Sequence, residues 1–248
     1  MAKKAWFTQW FNSSHYHQLY SHRDEKEAAD FIYRLLIHLH PAPASSILDL
    51  GCGRGRHSRI LASMGYDVTG IDVAPENISY ARKQETDLLR FQVHDMRKLL
   101  CVRCFDFVFN FFTSFGFFNT EREHLNALHT MATALKTKGV LVMDYINSTV
   151  AEKNLVPHEE KLVRGSRYTI ERWQSETHFY KKITITDESG NDNEPVSFTE
   201  QVAKFSLEKL SSMIEKQGLK VEEVFGDYLL NAYDPEKSPR LILVARRN

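Results

Sequence analysis

Three glycines at alternate positions follow an apolar run in the first quarter of the chain. They lie in ILDLGCGRGRHS, residues 47–58, as Gly51, Gly53 and Gly55. The apolar residues before them are typical of a buried parallel strand, and glycines after such a strand allow a tight turn and a close approach of the backbone to a ligand. The spacing therefore predicts a strand, a cofactor loop and then a helix from Ser58 to Met64.

A carboxylate stands at the end of the next predicted strand. Residues 66–71 are predicted to form that strand, and Asp72 follows twenty-one residues after Gly51. A carboxylate in this position can accept hydrogen bonds from both hydroxyl groups of a ribose. The pair of features predicts a nucleoside-containing cofactor and weakens the alternative, in which the glycines only connect a strand to a helix.

The sixth position of the loop separates two cofactor classes. Dinucleotide-binding loops have the pattern GxGxxG or GxGxxA, but Arg56 occupies the last of these positions here. The pattern GxGxG preceded by Asp49 resembles motif I of the class I S-adenosylmethionine methyltransferases. The resemblance covers most of the chain through HDM, NFFTSFGFF, LVMDYIN, GDY and SPRLILVAR. In layout it is nearest to a bacterial small-molecule group that includes glycine N-methyltransferase and the sugar N,N-dimethyltransferases.

The resemblance implies a set of residues that bind the cofactor. Gly51 and Gly53 would line its methionine half, and Asp72 would bind its ribose. Adenine has an amine donor and a flat ring, which Asp95 and Met96 would meet with a carboxylate and an apolar surface. The full implied set is Asp49, Gly51, Gly53, Asp72, Val73, Asp95, Met96, Asn110, Tyr20 and Arg23.

Met96 and Asp49 in this set also have structural alternatives. The alternative for Met96 is ordinary packing in the hydrophobic core. Asp49 is expected to orient the glycine loop or to cap the strand end, rather than to take part in chemistry.

The N-terminal segment is rich in aromatic residues. Such amphipathic side chains are predicted to form a lid that keeps water from a sulfonium group. The resemblance implies that Arg23, with Tyr20, binds the cofactor carboxylate, for which a guanidinium group is well shaped. The alternative is a solvated charge beside core aromatics. The aromatic residues are Trp6, Phe7, Trp10, Phe11, Tyr16 and Tyr20.

An acceptor pocket is predicted where the loop 111–118 and the segment after Asn147 leave the sheet, because ligands bind at the carboxyl ends of parallel strands. The aromatic loop predicts an enclosed, mostly apolar pocket for a small molecule. Its predicted side chains are Phe115, Phe117, Tyr168 and Arg172, with sheet packing as the alternative for the last two. No general base is assigned among the candidates His15, Tyr16, His17, His22 and His178.

The order of elements predicts an α/β fold with a doubly wound, mostly parallel, seven-stranded Rossmann-like sheet and an antiparallel β insert after strand 5. Strands and helices alternate up to residue 147, after which alternating apolar residues indicate the insert. The predicted units are residues 1–40 (lid and helix), 41–147 (cofactor-binding core), 148–205 (insert) and 206–248 (return to the core sheet).

Composition is typical of a cytoplasmic enzyme. The 248 residues include 32 basic and 32 acidic side chains, so no net charge favours nucleic acid or a membrane. Only three cysteines occur, and the single CxxC at Cys101 and Cys104 lacks the partners of a metal site, so no metal is expected. The open alternatives are a nicotinamide-dependent oxidoreductase, a nucleic-acid or protein methyltransferase, and a cofactor-binding protein without turnover. Acceptor identity and oligomeric state stay open.

Overall fold

A computed structural model describes residues 6–20, 25–187 and 194–248, except the side chains of 6–8 and 187. The helices are α1 Trp6–Phe11, α2 Ser14–Leu19, α3 Glu25–Leu39, α4 Arg56–Ser63, α5 Pro75–Arg82, α6 Glu121–Ala134, α7 Ser148–Lys153 and α8 Leu207–Glu215. The strands are β1 Ser46–Leu50, β2 Asp67–Asp72, β3 Leu89–Val93, β4 Phe105–Asn110, β5 Leu135–Ile146, β6 His158–Val163, β7 Ser166–Gln174, β8 His178–Asp187, β9 Val196–Ala203, β10 Leu219–Phe225 and β11 Arg240–Arg247.

Seven strands form the main sheet in the order β3-β2-β1-β4-β5-β11-β10. The strands β1 to β5 pair in parallel, whereas β11 pairs antiparallel with both β5 and β10. The chain runs outward from β1 in both directions, so a topological switch point lies between β1 and β4. The predicted fold class is confirmed, and this geometry predicts a ligand site beyond the carboxyl ends of β1 and β4.

Two apolar clusters cover the faces of this sheet. Successive strand side chains point to opposite faces, so Leu48 and Val108 join the cluster under α6 and α8, while Ile47 and Phe107 join the cluster under α3, α4 and α5. Both faces are therefore buried, as parallel sheets require.

A third apolar cluster joins the N-terminal helices to the insert. The strands β6 to β9 form a four-stranded antiparallel sheet, as predicted. Residues 6–20, which we call the roof, pack on it through Trp10 and Leu19, which meet Tyr168, Ile170 and Ile183. The segment predicted to be a lid is thus anchored to the insert, and its Phe11 also packs against the cluster under α6 and α8.

The end of α6 corrects one predicted boundary. The helix begins at the predicted capping box of Thr120 and Glu123, but it ends at Ala134 and not near Thr137. Leu135 already pairs with Phe105 of β4. Strand pairing therefore ends the helix three residues before Thr137, the end that the helical pattern and Gly139 predict.

Among the described residues, none of the helices combines the length and the apolar character that crossing a membrane requires.

Candidate active site

A cleft of about 830 Å³ opens at the carboxyl ends of β1 and β4. This volume falls within the range of small-molecule and cofactor sites. Its walls come from the loops after β1, β2, β3 and β4, from the roof above them and from the insert. Of the predicted residues, the cleft is lined by Asp49, Gly51, Gly53, Asp72, Val73, Asp95, Met96, Tyr20 and Phe117.

The glycine loop needs glycine for two different reasons. Gly53 has a φ of +56°, and a Cβ atom there would meet nothing within 4 Å, so its open side can take a ligand. Gly55 has a φ of +81°, and a Cβ atom there would lie 2.4 Å from Cζ of Phe91. Gly53 thus leaves room for a ligand, whereas Gly55 lets α4 begin close to the sheet.

The carboxylate of Asp72 connects this loop to the end of β2. Its Oδ2 accepts a hydrogen bond from the Gly53 amide at 2.9 Å, and its Oδ1 accepts one from the Ala74 amide at 2.8 Å. Burial raises the pKa of Asp72, and the hydrogen bonds from Ala74 and Gly53 oppose that shift. The carboxylate also lines the cleft, so the arrangement is compatible with the predicted ribose contact.

Asp49 lies beneath the loop as a nearly fully buried carboxyl group. It accepts a 2.6 Å hydrogen bond from the Ser58 hydroxyl group and so ties β1 to the first turns of α4. Burial raises its pKa to about 6, although the bond from Ser58 acts in the other direction. This contact agrees with an orienting role, and the carboxyl group also faces the cleft.

The segment after β3 supplies Asp95 and Met96. The carboxylate of Asp95 forms an ion pair with Arg97, with 2.6 Å between Oδ2 and an Nη atom. Burial disfavours the charge of Asp95, but the hydrogen bonds from Arg97 lower its pKa overall. An ionised carboxylate beside an apolar thioether is compatible with the adenine contacts that the resemblance implies.

The roof contributes Phe11, Tyr16 and Tyr20 to the cleft. The Tyr20 hydroxyl group lies 3.4 Å from a carboxylate oxygen of Glu200 and contacts the ammonium group of Lys181. Tyr20 therefore spans the roof and the insert at the rim of the cleft. Arg23, its predicted partner on the cofactor carboxylate, lies outside the described residues.

Three polar side chains meet between the roof and the cofactor loops. His17 of α2, Arg54 of the glycine loop and Asn77 of α5 all line the cleft. The sequence offered His17 only as one of several candidate bases, and it missed the other two. Arg54 could have been predicted from the sequence because it lies inside the glycine loop. Asn77 could have been predicted because it lies in the first turn of the helix that follows Asp72.

A buried ion pair holds the loop after β4. Asp144 of β5 has no exposed surface. It accepts hydrogen bonds from Nε of Arg240 at 2.7 Å, the Phe112 amide at 2.8 Å and the Tyr228 hydroxyl group at 3.1 Å. Arg240 also donates to the Thr113 hydroxyl group at 2.8 Å.

The loop that this pair holds has an unusual backbone. Phe112 and Thr113 are consecutive residues with φ of 55° and 57°. Left-handed backbone in a residue other than glycine persists only when its surroundings fix it. Both residues face the cleft, so the ion pair shapes the wall next to β4. The sequence analysis did not predict this pair, because its two members are 96 residues apart.

The prediction that Phe115 lines the acceptor pocket is wrong. Phe115 is fully buried among Phe118, His124 and Phe205. Gly116, with a φ of +100°, breaks the alternation that would have placed residues 115 and 117 on one side. Phe117 lines the cleft, and its place in an acceptor pocket stays a prediction.

Tyr168 and Arg172 do not line the cleft either. Tyr168 is fully buried in the cluster between the roof and the insert, where its hydroxyl group donates to Gln18 at 3.0 Å. The Arg172 guanidinium group forms an ion pair with Glu159 on the neighbouring strand. Sheet packing, the alternative for both, is their role here.

Asn110 is a further correction. It is fully buried at the end of β4, where its amide group donates to the Leu50 carbonyl group at 3.0 Å. Because it does not line the cleft, it joins β4 to β1 instead of contacting a ligand directly.

Some of the candidate bases line the cleft and others do not. Tyr16 and His17 line the cleft. His15 contacts the Tyr168 hydroxyl group, and His178 contacts Thr177. His22 lies outside the described residues.

The cleft carries more charge than predicted. Arg54, Arg56, Arg164, Glu25 and Glu200 lie on its walls beside the aromatic residues. The expectation that few polar groups line the pocket is therefore corrected for this cleft.

The chemistry of the donor set fits S-adenosylmethionine, the cofactor that the resemblance implies. The carboxylates of Asp49 and Asp72 are among those that line a cleft that would receive a cation and two ribose hydroxyl groups, and Gly53 leaves space against the backbone. Nε2 of His17, Nε of Arg54 and Oδ1 of Asn77 are buried without hydrogen-bond partners in the described part of the chain. Buried polar atoms of this kind are usually satisfied, so a polar ligand would complete them.

Comparisons with known proteins agree with this geometry. A family model described as a methyltransferase domain matches residues 42–218. The chain is 25% identical over 210 residues to YqeM of Bacillus subtilis (strain 168), a protein with a provisional methyltransferase name, covering 82% of this chain and 84% of that protein.

Two further proteins are similar to this chain. One is a dTDP-3-amino-3,4,6-trideoxy-alpha-D-glucopyranose N,N-dimethyltransferase of Streptomyces venezuelae, 33% identical over 101 residues, which is 41% of this chain and 42% of that enzyme. The other is the crystal structure of an S-adenosylmethionine-dependent methyltransferase from Clostridium acetobutylicum ATCC 824. It has a TM-score of 0.79 and 16% identity, and the match covers 94% of this chain and 95% of that one.

Proposed function

Because the chain belongs to the methyltransferase domain family and is an S-adenosylmethionine-dependent methyltransferase, we propose that it methylates a nitrogen or oxygen atom of a small molecule. The observation that carries this proposal is that the glycine loop, Asp72, the aromatic loop 111–118 and the roof all line the same cleft. One cavity of this volume has room for a cofactor and a small acceptor together.

When bound, S-adenosylmethionine supplies an electrophilic methyl group on a sulfonium. The chain would contribute mainly positioning and exclusion of water. Asp72 and the glycine loop would hold the nucleoside, and Asp49 would place negative charge near the cation. Phe11 and Phe117, whose rings meet at 5.2 Å, would shield the reaction from water on the acceptor side.

The amino-sugar enzyme among the similar proteins supports a small acceptor, and so does the position of the cleft between the roof and the cofactor loops. A duplex or a folded protein would need an open, charged surface beside the cofactor. Robust methylation of tRNA, DNA or an intact protein, with no small acceptor found in a screen of amines, acids and phenols, would contradict the proposal.

The ribose contact gives a first prediction. Asp72→Ala should weaken binding of S-adenosylhomocysteine by about 1–3 kcal/mol, because ribose hydroxyl groups would lose their acceptor in a buried site. Isothermal titration calorimetry measures this directly, and the same experiment with NAD tests the oxidoreductase alternative. Asp67→Ala is the matched control, since Asp67 begins the same strand but pairs with Arg90 at the surface. Unchanged affinity in Asp72→Ala would reject the ribose assignment.

Asp49 gives a second prediction, on pH. Its pKa of about 6 means that the carboxyl group loses its proton as pH rises through that value. The ionised form attracts the cationic sulfonium, so affinity for S-adenosylmethionine should rise between about pH 5 and about pH 7 and then level off. S-Adenosylhomocysteine has an uncharged sulfur and should show a smaller rise. Asp49→Asn should remove the difference between the two ligands, and an equal pH dependence in the unaltered protein would argue against the prediction.

The acceptor wall gives a third prediction. Phe117→Ala should change which small acceptors are methylated while affinity for S-adenosylhomocysteine stays within about twofold, because Phe117 packs against Phe11 of the roof. Phe115→Ala is the informative comparison: its ring is in the core, so it should lower the free energy of unfolding by about 3–5 kcal/mol. If both variants only lost stability, Phe117 would have no part in acceptor selection.

A cytoplasmic location is part of the proposal. Three cysteines in the whole sequence are typical of a reducing compartment. The sulfur atoms of Cys101 and Cys104 are in contact, while Cys52 is free and buried. Fractionation of cells that express the tagged protein would test the location.

A further inference from the structure

The imidazole of His17 reaches the cleft from the roof with one ring nitrogen unsatisfied. His17 lines the cleft, and its Nε2 is buried without a hydrogen-bond partner among the described residues. Leaving such an atom unpaired costs free energy, so its position points to a polar group that arrives with a ligand.

The neighbours of His17 indicate which part of a ligand that is. The side chain of Asn77, only 2% exposed, neighbours both the imidazole of His17 and the carboxylate of Asp72. Against the larger effect of burial, it raises the pKa of His17 and lowers that of Asp72, so it favours the charged form of each group. Its Oδ1 is likewise buried and unsatisfied. His17 and Asp72 therefore share Asn77 as a neighbour, and both line the cleft in which the ribose is assigned to Asp72.

The protonation state of His17 suits this position. Burial, and then the charge of Arg54, lower the pKa of His17 to about 4, so the ring is neutral at pH 7. A neutral imidazole has one donor and one acceptor nitrogen, and a ribose hydroxyl group can pair with either. A neutral ring also does not repel a cationic sulfonium.

We propose that His17 is a further cofactor-binding residue, whose Nε2 forms a hydrogen bond with a ribose hydroxyl group beside Asp72. The inference rests on the proposed function, since it requires a cofactor that carries a ribose. It makes the roof part of the cofactor site as well as a cover over it.

The same helix provides a matched control. His15 precedes His17 by two residues, which is about 200° around an α-helix, so the two side chains leave opposite faces. Nδ1 of His15 lies 3.4 Å from the Tyr168 hydroxyl group on the insert side. His15 does not line the cleft, so its removal tests for an effect on the helix alone.

Calorimetric titration of the full chain with S-adenosylhomocysteine tests the proposal. His17→Ala should raise the dissociation constant about five- to thirtyfold, the usual effect of losing one buried hydrogen bond. His15→Ala should stay within about twofold of the unaltered protein. His17→Gln, which keeps a side-chain amide, should recover part of the affinity and also serves if His17→Ala fails to fold. Affinity within about twofold in both His17 variants would overturn the inference.

A second pair of ligands locates the contact. In competition with S-adenosylhomocysteine, His17→Ala should weaken adenosine but leave 2′,3′-dideoxyadenosine unaffected, because the latter lacks the hydroxyl groups. Equal losses for both nucleosides would overturn the ribose contact. If the unaltered protein bound no S-adenosylhomocysteine, the proposed function would fail and this inference with it. Binding that is insensitive to His17 overturns the inference alone.

Discussion

Asp144→Ala should lower the free energy of unfolding by about 3–5 kcal/mol, the usual cost of removing one partner from a buried ion pair. Asp144 is fully buried and is the common acceptor for Arg240, Tyr228 and the Phe112 amide. Because an arginine side chain does not lose its proton in proteins, the mostly buried guanidinium group of Arg240 would stay charged in the variant but without its carboxylate partner. Urea unfolding followed by circular dichroism measures the loss.

A surface pair between β10 and β11 serves as the control. Glu222 of β10 accepts from Nε of Arg246 on β11 at 2.8 Å, and both side chains are partly exposed. Glu222→Ala should therefore change stability by no more than about 1 kcal/mol. If Asp144→Ala cost as little as this control, Asp144 would not hold the loop at Phe112 and Thr113.

The position of the Asp144–Arg240 pair also shows which parts of the fold and the site can be predicted from the sequence. The glycine loop and Asp72 were predictable because each is set by residues close together in the chain. A strand followed by alternate glycines dictates its own turn, and parallel strands bring their carboxyl ends to one edge. The sheet order follows from alternating strands and helices in the same way.

Contacts between distant segments were not predictable. Asp144 and Arg240 each lie in an ordinary apolar strand, and only the pairing of β5 with β11 brings them together. Phe115 and Phe117 differ because Gly116 turns the backbone between them, which the strand-like spacing of two residues conceals. A periodic pattern identifies a buried face but not which other segment covers it.

The roof is the largest case of this kind, and it carries the last prediction. Trp10 is fully buried, its Nε1 donates to a carboxylate oxygen of Glu200, and its ring lies 4.7 Å from that of Phe198 on the insert. Trp10→Ala should remove about 3–5 kcal/mol from the free energy that holds the roof on the insert, as truncating a buried aromatic residue usually does. Amide hydrogen exchange in residues 6–20 should then become faster, because Trp10 is a fully buried anchor of that segment.

Binding of the cofactor should also change the rate of amide hydrogen exchange in the roof. If the roof covers the cleft, S-adenosylhomocysteine should slow exchange in residues 6–20 of the unaltered protein, and Trp10→Ala should weaken both this protection and the affinity. Trp173→Ala is the matched control, because Trp173 also belongs to the insert but is 43% exposed and stacks on Tyr180. It should leave exchange in the roof unchanged. Equal exchange with and without ligand in the unaltered protein would mean that the roof packs on the insert without closing over the cofactor.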